Sequence, residues 1–268
     1  MRQRIISAAI GIAALIIILY FRGFVLDIAM LILSAAGILE LHKAFALKGT
    51  YLVFVISILS LVALALTVVF FDMQYLFFVL VFAAMLTMLL PVFSERYSAL
   101  DVQSTIFSLI YPSAGFVSII ALNHIPSEIG FIMIIGGMLF AWGCDSGSYF
   151  SGYLFGRHSL CPRISPKKTV EGSVGGVVVS AVLGLIYGLL VQNMVYADVL
   201  WYNYIIIALL AGIISQLGDL AASAVKRYYG IKDFGNFMPG HGGVLDRFDS
   251  IVYVMPLVYV YTAILLGR

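Results

Sequence analysis

At 268 residues the chain has the length of one large domain or two small ones, but 63% of it is hydrophobic and 10% charged, against about 25% charged residues in soluble domains. That balance excludes a soluble fold and defines a polytopic membrane protein. The formal charge of +2 says little about partners, because placement outweighs the sum; membrane lipid is expected around the chain, and no nucleic acid.

The N-terminal run 5–21 follows Arg2 and Arg4 and is long for a signal peptide, with a second apolar run directly behind it, so it is read as an uncleaved first helix. A span needs about 20 apolar residues, and nine segments qualify: 5–21, 24–41, 51–71, 75–93, 104–122, 129–151, 174–192, 203–225 and 250–266. The expected fold is therefore an all-α bundle of about nine transmembrane helices without a sheet. The first five spans (1–123) form an N-terminal membrane region, and spans six to nine (124–268) a catalytic one with two long polar loops, 152–173 and 226–249. Thirteen Lys and Arg residues fall on the N-terminal side of this arrangement and two, Arg22 and Arg268, on the other. The N-terminus and both long loops should then face the cytosol, and the C-terminus should face outward. Glycines four apart (143/147, 152/156, 172/176 and 184/188) allow close helix approach.

Three polar groups interrupt the apolar sequence. Asp145 sits among small residues in WGCDSGSYF (142–150), and a mid-span carboxylate costs about 2.5–3.5 kcal/mol on insertion scales, which marks it for function. In PRISPKKTVEGSVGG (162–176), Ser165-Pro166 reads as an N-cap with Pro at the first helical position. Lys167 and Lys168 would then occupy a first helical turn, unfavourably for the dipole unless an anion binds there; otherwise they belong to an ordinary positive loop. Ser215, Asp219, Ser223 and Lys226 share one face of span eight, with Asp219 about 10 Å deeper than Lys226. Beyond Arg227 and Lys232 a glycine-rich stretch holds His241, Gly242 and Gly243, and Asp246, Arg247 and Asp249 open span nine.

Cys144 and Cys161 make no disulfide framework, and the four histidines are scattered, so zinc is not expected. The acids 219, 246, 249 and 145 are hard oxygen ligands, which select Mg²⁺ bound through one or two carboxylates plus substrate phosphates. Lysines, arginines and flexible glycine backbone complete a polyphosphate site. The residues thus point to Mg²⁺-dependent phosphate chemistry on a lipid-embedded substrate and leave the nucleotide open.

The stretch SAVKRYYGIKDFGNFMPGHGGVLDRFD (223–249) resembles the signature of the phosphatidate cytidylyltransferases, or CDP-diacylglycerol synthases, with Met238 where Leu, Ile or Phe is usual. PRISPKKTVEG and Asp145-Ser146 are similar to the same family. The resemblance implies transfer of a cytidylyl group from CTP to phosphatidic acid, releasing pyrophosphate, with Mg²⁺ and room for a second cation. On these positions Asp219 and Asp246 would hold the metal with Asp249 beside them, and Asp145 is a further candidate. The catalytic set would be Asp219, Lys226, Asp246, Arg247, Asp249 and His241. Ser165, Lys167, Lys168, Thr169, Ser223, Arg227, Lys232, Gly242 and Gly243 would bind substrate. A homodimer is also implied. A CTP-dependent polyprenol or dolichol kinase and a cation-coupled transporter are the competing readings; the first would release CDP, and the second would form no pyrophosphate.

Overall fold

Long apolar runs broken by Gly, Pro and short polar turns leave backbone groups no partner in lipid except one another, and so they close into helices. In the structure, a computed structural model, residues 2–51, 53–71, 75–194, 199–237 and 242–267 are described. Their elements run α1 (Arg2–Phe21), α2 (Gly23–Ala46), α3 (Phe54–Phe70), α4 (Tyr75–Met88), α5 (Leu90–Phe93), α6 (Ala99–Asn123), α7 (Glu128–Phe155), β1 (Ser159–Cys161), β2 (Ser165–Thr169), α8 (Val170–Met194), α9 (Trp201–Tyr228) and α10 (Leu245–Leu265). Among the described residues, seven helical stretches are long and apolar enough to cross a membrane, Tyr75–Phe93 counting as one, and Ala9–Phe21 and Phe54–Phe70 are shorter apolar helices. All nine expected segments are helical, and the chain is a multi-pass membrane protein.

The helices run further than the apolar sequence does. The two long loops shrink to 156–169 and 229–244 because α7, α8 and α9 carry their helical hydrogen bonding out into polar sequence. The first of these loops is also not sheet-free. It folds into an antiparallel hairpin pairing Ser159 with Thr169 and Cys161 with Ser165.

Contacts divide the chain into two compact units, 1–124 with 228–248 and 125–227 with 249–268. In the first, α2 presents Leu26, Met30, Ile38 and Leu41, all fully buried, at the three- and four-residue steps of one helical stripe. The start of α6 is fixed by a reciprocal cap: Ser98 N donates to Asp101 Oδ2 at 2.7 Å, and Asp101 N donates to Ser98 Oγ at 3.3 Å. Asp101 also accepts from Tyr51 N at 2.5 Å, and Thr105 Oγ1 accepts from Val53 N at 2.9 Å. One polar helix start thereby orders the entry of α3. At the far end of α6, Asn123 Nδ2 and His124 Nε2 each lie 2.8 Å from an oxygen of Asp27 on α2.

In the second unit α7 and α8 meet along a seam of glycines. A Cβ on Gly147 would lie 2.7 Å from Val179 Cβ and 3.2 Å from Gly176 Cα, and one on Gly172 would lie 3.1 Å from Gly152 Cα. Without side chains the two backbones approach closely, which is how helices gain packing energy in lipid. Gly184 and Gly188 serve α9 in the same way, against Tyr204 O and Trp201 O, each 2.6 Å from where a Cβ would stand. Ser180 Oγ adds a buried bond to Ala208 O at 2.7 Å.

Candidate active site

Pro166 has no N–H to donate, and a two-stranded hairpin consists of edge strands only, where that absence is tolerated. Ser165 to Thr169 therefore extend as β2, and the expected helix entry at Ser165 is corrected. The cap of α8 is Thr169, whose Oγ1 accepts from Gly172 N at 3.1 Å, the N3 position of that helix. This start relieves the conflict seen in the sequence, since Lys167 and Lys168 now precede the helix instead of opposing its dipole from within. The hairpin base is held by Glu171, whose Oε2 accepts from Arg157 N and His158 N at 3.0 and 3.2 Å, while Oε1 lies 2.6 Å from His158 Nδ1.

Extended backbone sends alternate side chains to opposite faces. Lys167 is exposed and Lys168 half-buried, and Lys168 Nζ reaches Asp219 Oδ2 on α9 at 2.5 Å. Both residues line a cavity of about 360 Å³ together with Asp145, Lys167, Thr169, Ser173 and Gln216. The cavity has an aromatic rim of Tyr149 and Tyr153 from α7. Gln216, which the sequence reading passed over, donates through Nε2 to Ser173 O at 2.9 Å and to Cys144 Sγ at 3.3 Å, and its Oε1 accepts from Ser173 Oγ. Its position one helical turn before Asp219 on α9 was the available signal.

Asp145 accepts from Ser250 Oγ at 3.2 Å, which ties α7 to α10. Asp249 Oδ1 accepts from Ser250 N at 2.8 Å, and Asp249 lies within electrostatic reach of Asp219, Lys226 and Asp145. The approach of α10 to α9 is possible because Gly218 has no side chain: a Cβ there would stand 2.9 Å from Asp249 O. Lys226 is buried at 8% exposure, Ser223 Oγ is 3.4 Å from Asp219 Oδ1, and Arg227 Nε is 3.4 Å from Ile164 O in the hairpin turn. The polar face expected on α9 is thus present, with Asp219 answered from the hairpin.

The 228–248 segment belongs to the other unit. There Asp246 Oδ2 accepts from Phe234 N at 2.7 Å and Gly243 N at 2.9 Å, and Gly242 takes φ +89 beside it, a conformation suited to glycine. Lys232 and Arg247 are exposed. His241, with Met238 and Gly240, lies outside the described residues. Glu40 on α2 was also missed; it accepts from Val244 N and Leu245 N at 2.7 and 2.9 Å. The rule that singled out Asp145, an acid within an apolar span, applied equally to Glu40.

Acids and lysines thus share one cavity lined from α7, the hairpin, α8 and α9, and family and full-length relatives give the class, a membrane nucleotidyltransferase. The chain belongs to the cytidylyltransferase family, whose model matches residues 2–265. It is similar to the phosphatidate cytidylyltransferase of Bacillus subtilis (strain 168), 32% identical over 275 residues that cover 98% of each chain. It is similar also to that of Staphylococcus epidermidis (strain ATCC 35984), 31% identical over 97% of this chain and 98% of the relative. With the Staphylococcus saprophyticus protein of the same name it shares 40% identity over 62% of this chain and 61% of the relative.

Proposed function

We propose that the protein transfers a cytidylyl group from CTP to phosphatidic acid at the cytosolic face of the membrane, giving CDP-diacylglycerol and pyrophosphate. The observation that carries this reading is the Lys168–Asp219 pair on a cavity wall shared with Asp145 and Lys167, in a chain whose full-length relatives bear that enzyme's name.

Mg²⁺ fits the donor set. Among the described residues no three His, Cys, Asp or Glu side chains gather into a ligand group, but Mg²⁺ commonly takes only one or two carboxylates and leaves the other positions to phosphate and water. Asp219 and Asp145 on one cavity supply those two, with Asp249 close by; Asp246, which the signature also implies, belongs to the other unit. Bound there, Mg²⁺ would neutralise phosphate charge and help the pyrophosphate to leave.

The protein's own residues bring two anions together and hold them in line. An oxygen of phosphatidate attacks the α-phosphorus of CTP, and the bond from that phosphorus to the β-phosphate bridging oxygen breaks. The electron pair departs with pyrophosphate. The lipid phosphate is already ionised, so neither a protein nucleophile nor a strong base is required. Lys168 and Lys167 balance phosphate charge from the hairpin, and Lys226 and Arg227 do so from α9. The resemblance implies the same role for Lys232 and His241 of the glycine-rich segment.

Purified protein incubated with Mg²⁺, CTP labelled at the α-phosphate and phosphatidic acid should move label into lipid and release pyrophosphate, and EDTA should stop it. Label that stays in CMP or CDP, or lipid phosphorylation from γ-labelled CTP, would replace this reading with a hydrolase or kinase.

A further inference from the structure

Glu40 lies six residues before the end of α2 at Ala46 and is buried, at 6% exposure. An acid inside a membrane helix is expensive unless its oxygens are satisfied. Here both are: Oε1 accepts from Val244 N at 2.7 Å and Oε2 from Leu245 N at 2.9 Å. The same carboxylate is wedged between two glycines. A Cβ on Gly235 would meet Oε1 at 2.7 Å, and a Cβ on Gly243 would collide with the carboxylate outright. A second acid completes the grip, since Asp246 Oδ2 takes Phe234 N and Gly243 N.

Three successive N–H groups at the start of α10, those of Gly243, Val244 and Leu245, are therefore held by protein carboxylates. A helix start so occupied is not offering those donors to a phosphate. What Glu40 does instead is fix where the segment lies. Its grip spans from α2 to the turn that carries Gly242, Asp246 and Arg247, and Gly235 sits three residues from Lys232.

We propose that Glu40 is a positioning residue for cytidylyl transfer, setting Gly235 and the start of α10 at 243–247 from α2 without itself touching substrate. This rests on the function proposed above. Plain helix capping is the competing account, and it predicts lost stability with catalysis per folded molecule unchanged.

The test compares full-length Glu40→Gln, Glu40→Ala, Gly243→Ala and the double variant Glu40→Ala/Gly243→Ala with wild type. Each is assayed for lipid labelling from CTP, with kcat per folded molecule and KM measured separately and melting followed in detergent. Glu40→Gln keeps the shape but loses one acceptor; its kcat should fall about tenfold or more while KM stays within about twofold. Gly243→Ala should reproduce that loss by displacing the carboxylate. The double variant should be no slower than Glu40→Ala alone, because the two changes disturb one contact. A wild-type kcat in Glu40→Gln, a rise in KM alone, or additive losses in the double variant would overturn the proposal. Should Glu40→Gln fail to fold, Gly243→Ala decides: normal kcat there overturns it equally. A wild type that does not label lipid removes the function itself, a result separable from active wild type with active Glu40 variants.

Discussion

Lys168 and Asp219 are 28% and 30% exposed in their side chains, a setting in which an ion pair contributes about 0.2–1 kcal/mol. So small a gain does not account for a lysine and an acid directed into one cavity, whereas the proposed binding of a phosphate and a cation would. Lys168→Ala and Asp219→Asn should each lower kcat/KM by at least about tenfold, which is about 1.4 kcal/mol of transition-state binding, with folding stability unchanged within about 1 kcal/mol. Equal losses of activity and folded protein would assign the pair to structure. Lys167, the more exposed lysine on the same cavity, should behave differently, Lys167→Ala raising KM more than it lowers kcat. At this scale the sequence was informative where a charge interrupts an apolar run, as at Asp145 and Asp219. It was silent about partners: nothing in the spacing pairs Lys168 with Asp219, 51 positions apart, and nothing pairs Glu40 with Val244.

At the scale of elements, the nine apolar segments were readable as helices because lipid leaves a 20-residue apolar run one economical conformation. The hairpin was not readable. Ser165-Pro166 satisfies a helix start and an edge strand alike, and the choice was made by the better cap at Thr169 and by the strand pairing across 159–169. The glycine pairs were legible as packing sites but not as to which helices they join. Their role predicts a sharp contrast. Gly176→Val would drive a side chain into Cys144 O, 2.7 Å from the added Cβ, and should destabilise by about 1–3 kcal/mol or more. Val178→Phe, two residues on at a 55% exposed position, should leave the melting temperature in detergent almost unmoved. Equal melting of the two variants would mean that α7 and α8 do not meet along this seam.

For the whole molecule, the distribution of Lys and Arg predicts that the hairpin faces the cytosol, and the two native cysteines report on it. Cys161 is part-exposed in β1 and Cys144 is fully buried, with its Sγ against Gly212 O at 3.2 Å. A membrane-impermeant maleimide should label Cys161 in inside-out vesicles and not in right-side-out ones, and Cys144 in neither before denaturation. Labelling from the outer face would invert the topology and move the proposed reaction to the other leaflet.

β2 passes into α8 with no intervening loop, Thr169 ending the strand and Val170 beginning the helix. Lys168 is therefore geared to a helix that the glycine seam prevents from turning. One residue inserted between Lys168 and Val170 would flip the lysine to the opposite side of its strand, and no side-chain rotation would restore its reach. The hairpin turn at 162–164, by contrast, adds length without changing that gearing. Natural length variation in this loop should accordingly collect at the turn and be absent from the three positions that join strand to helix.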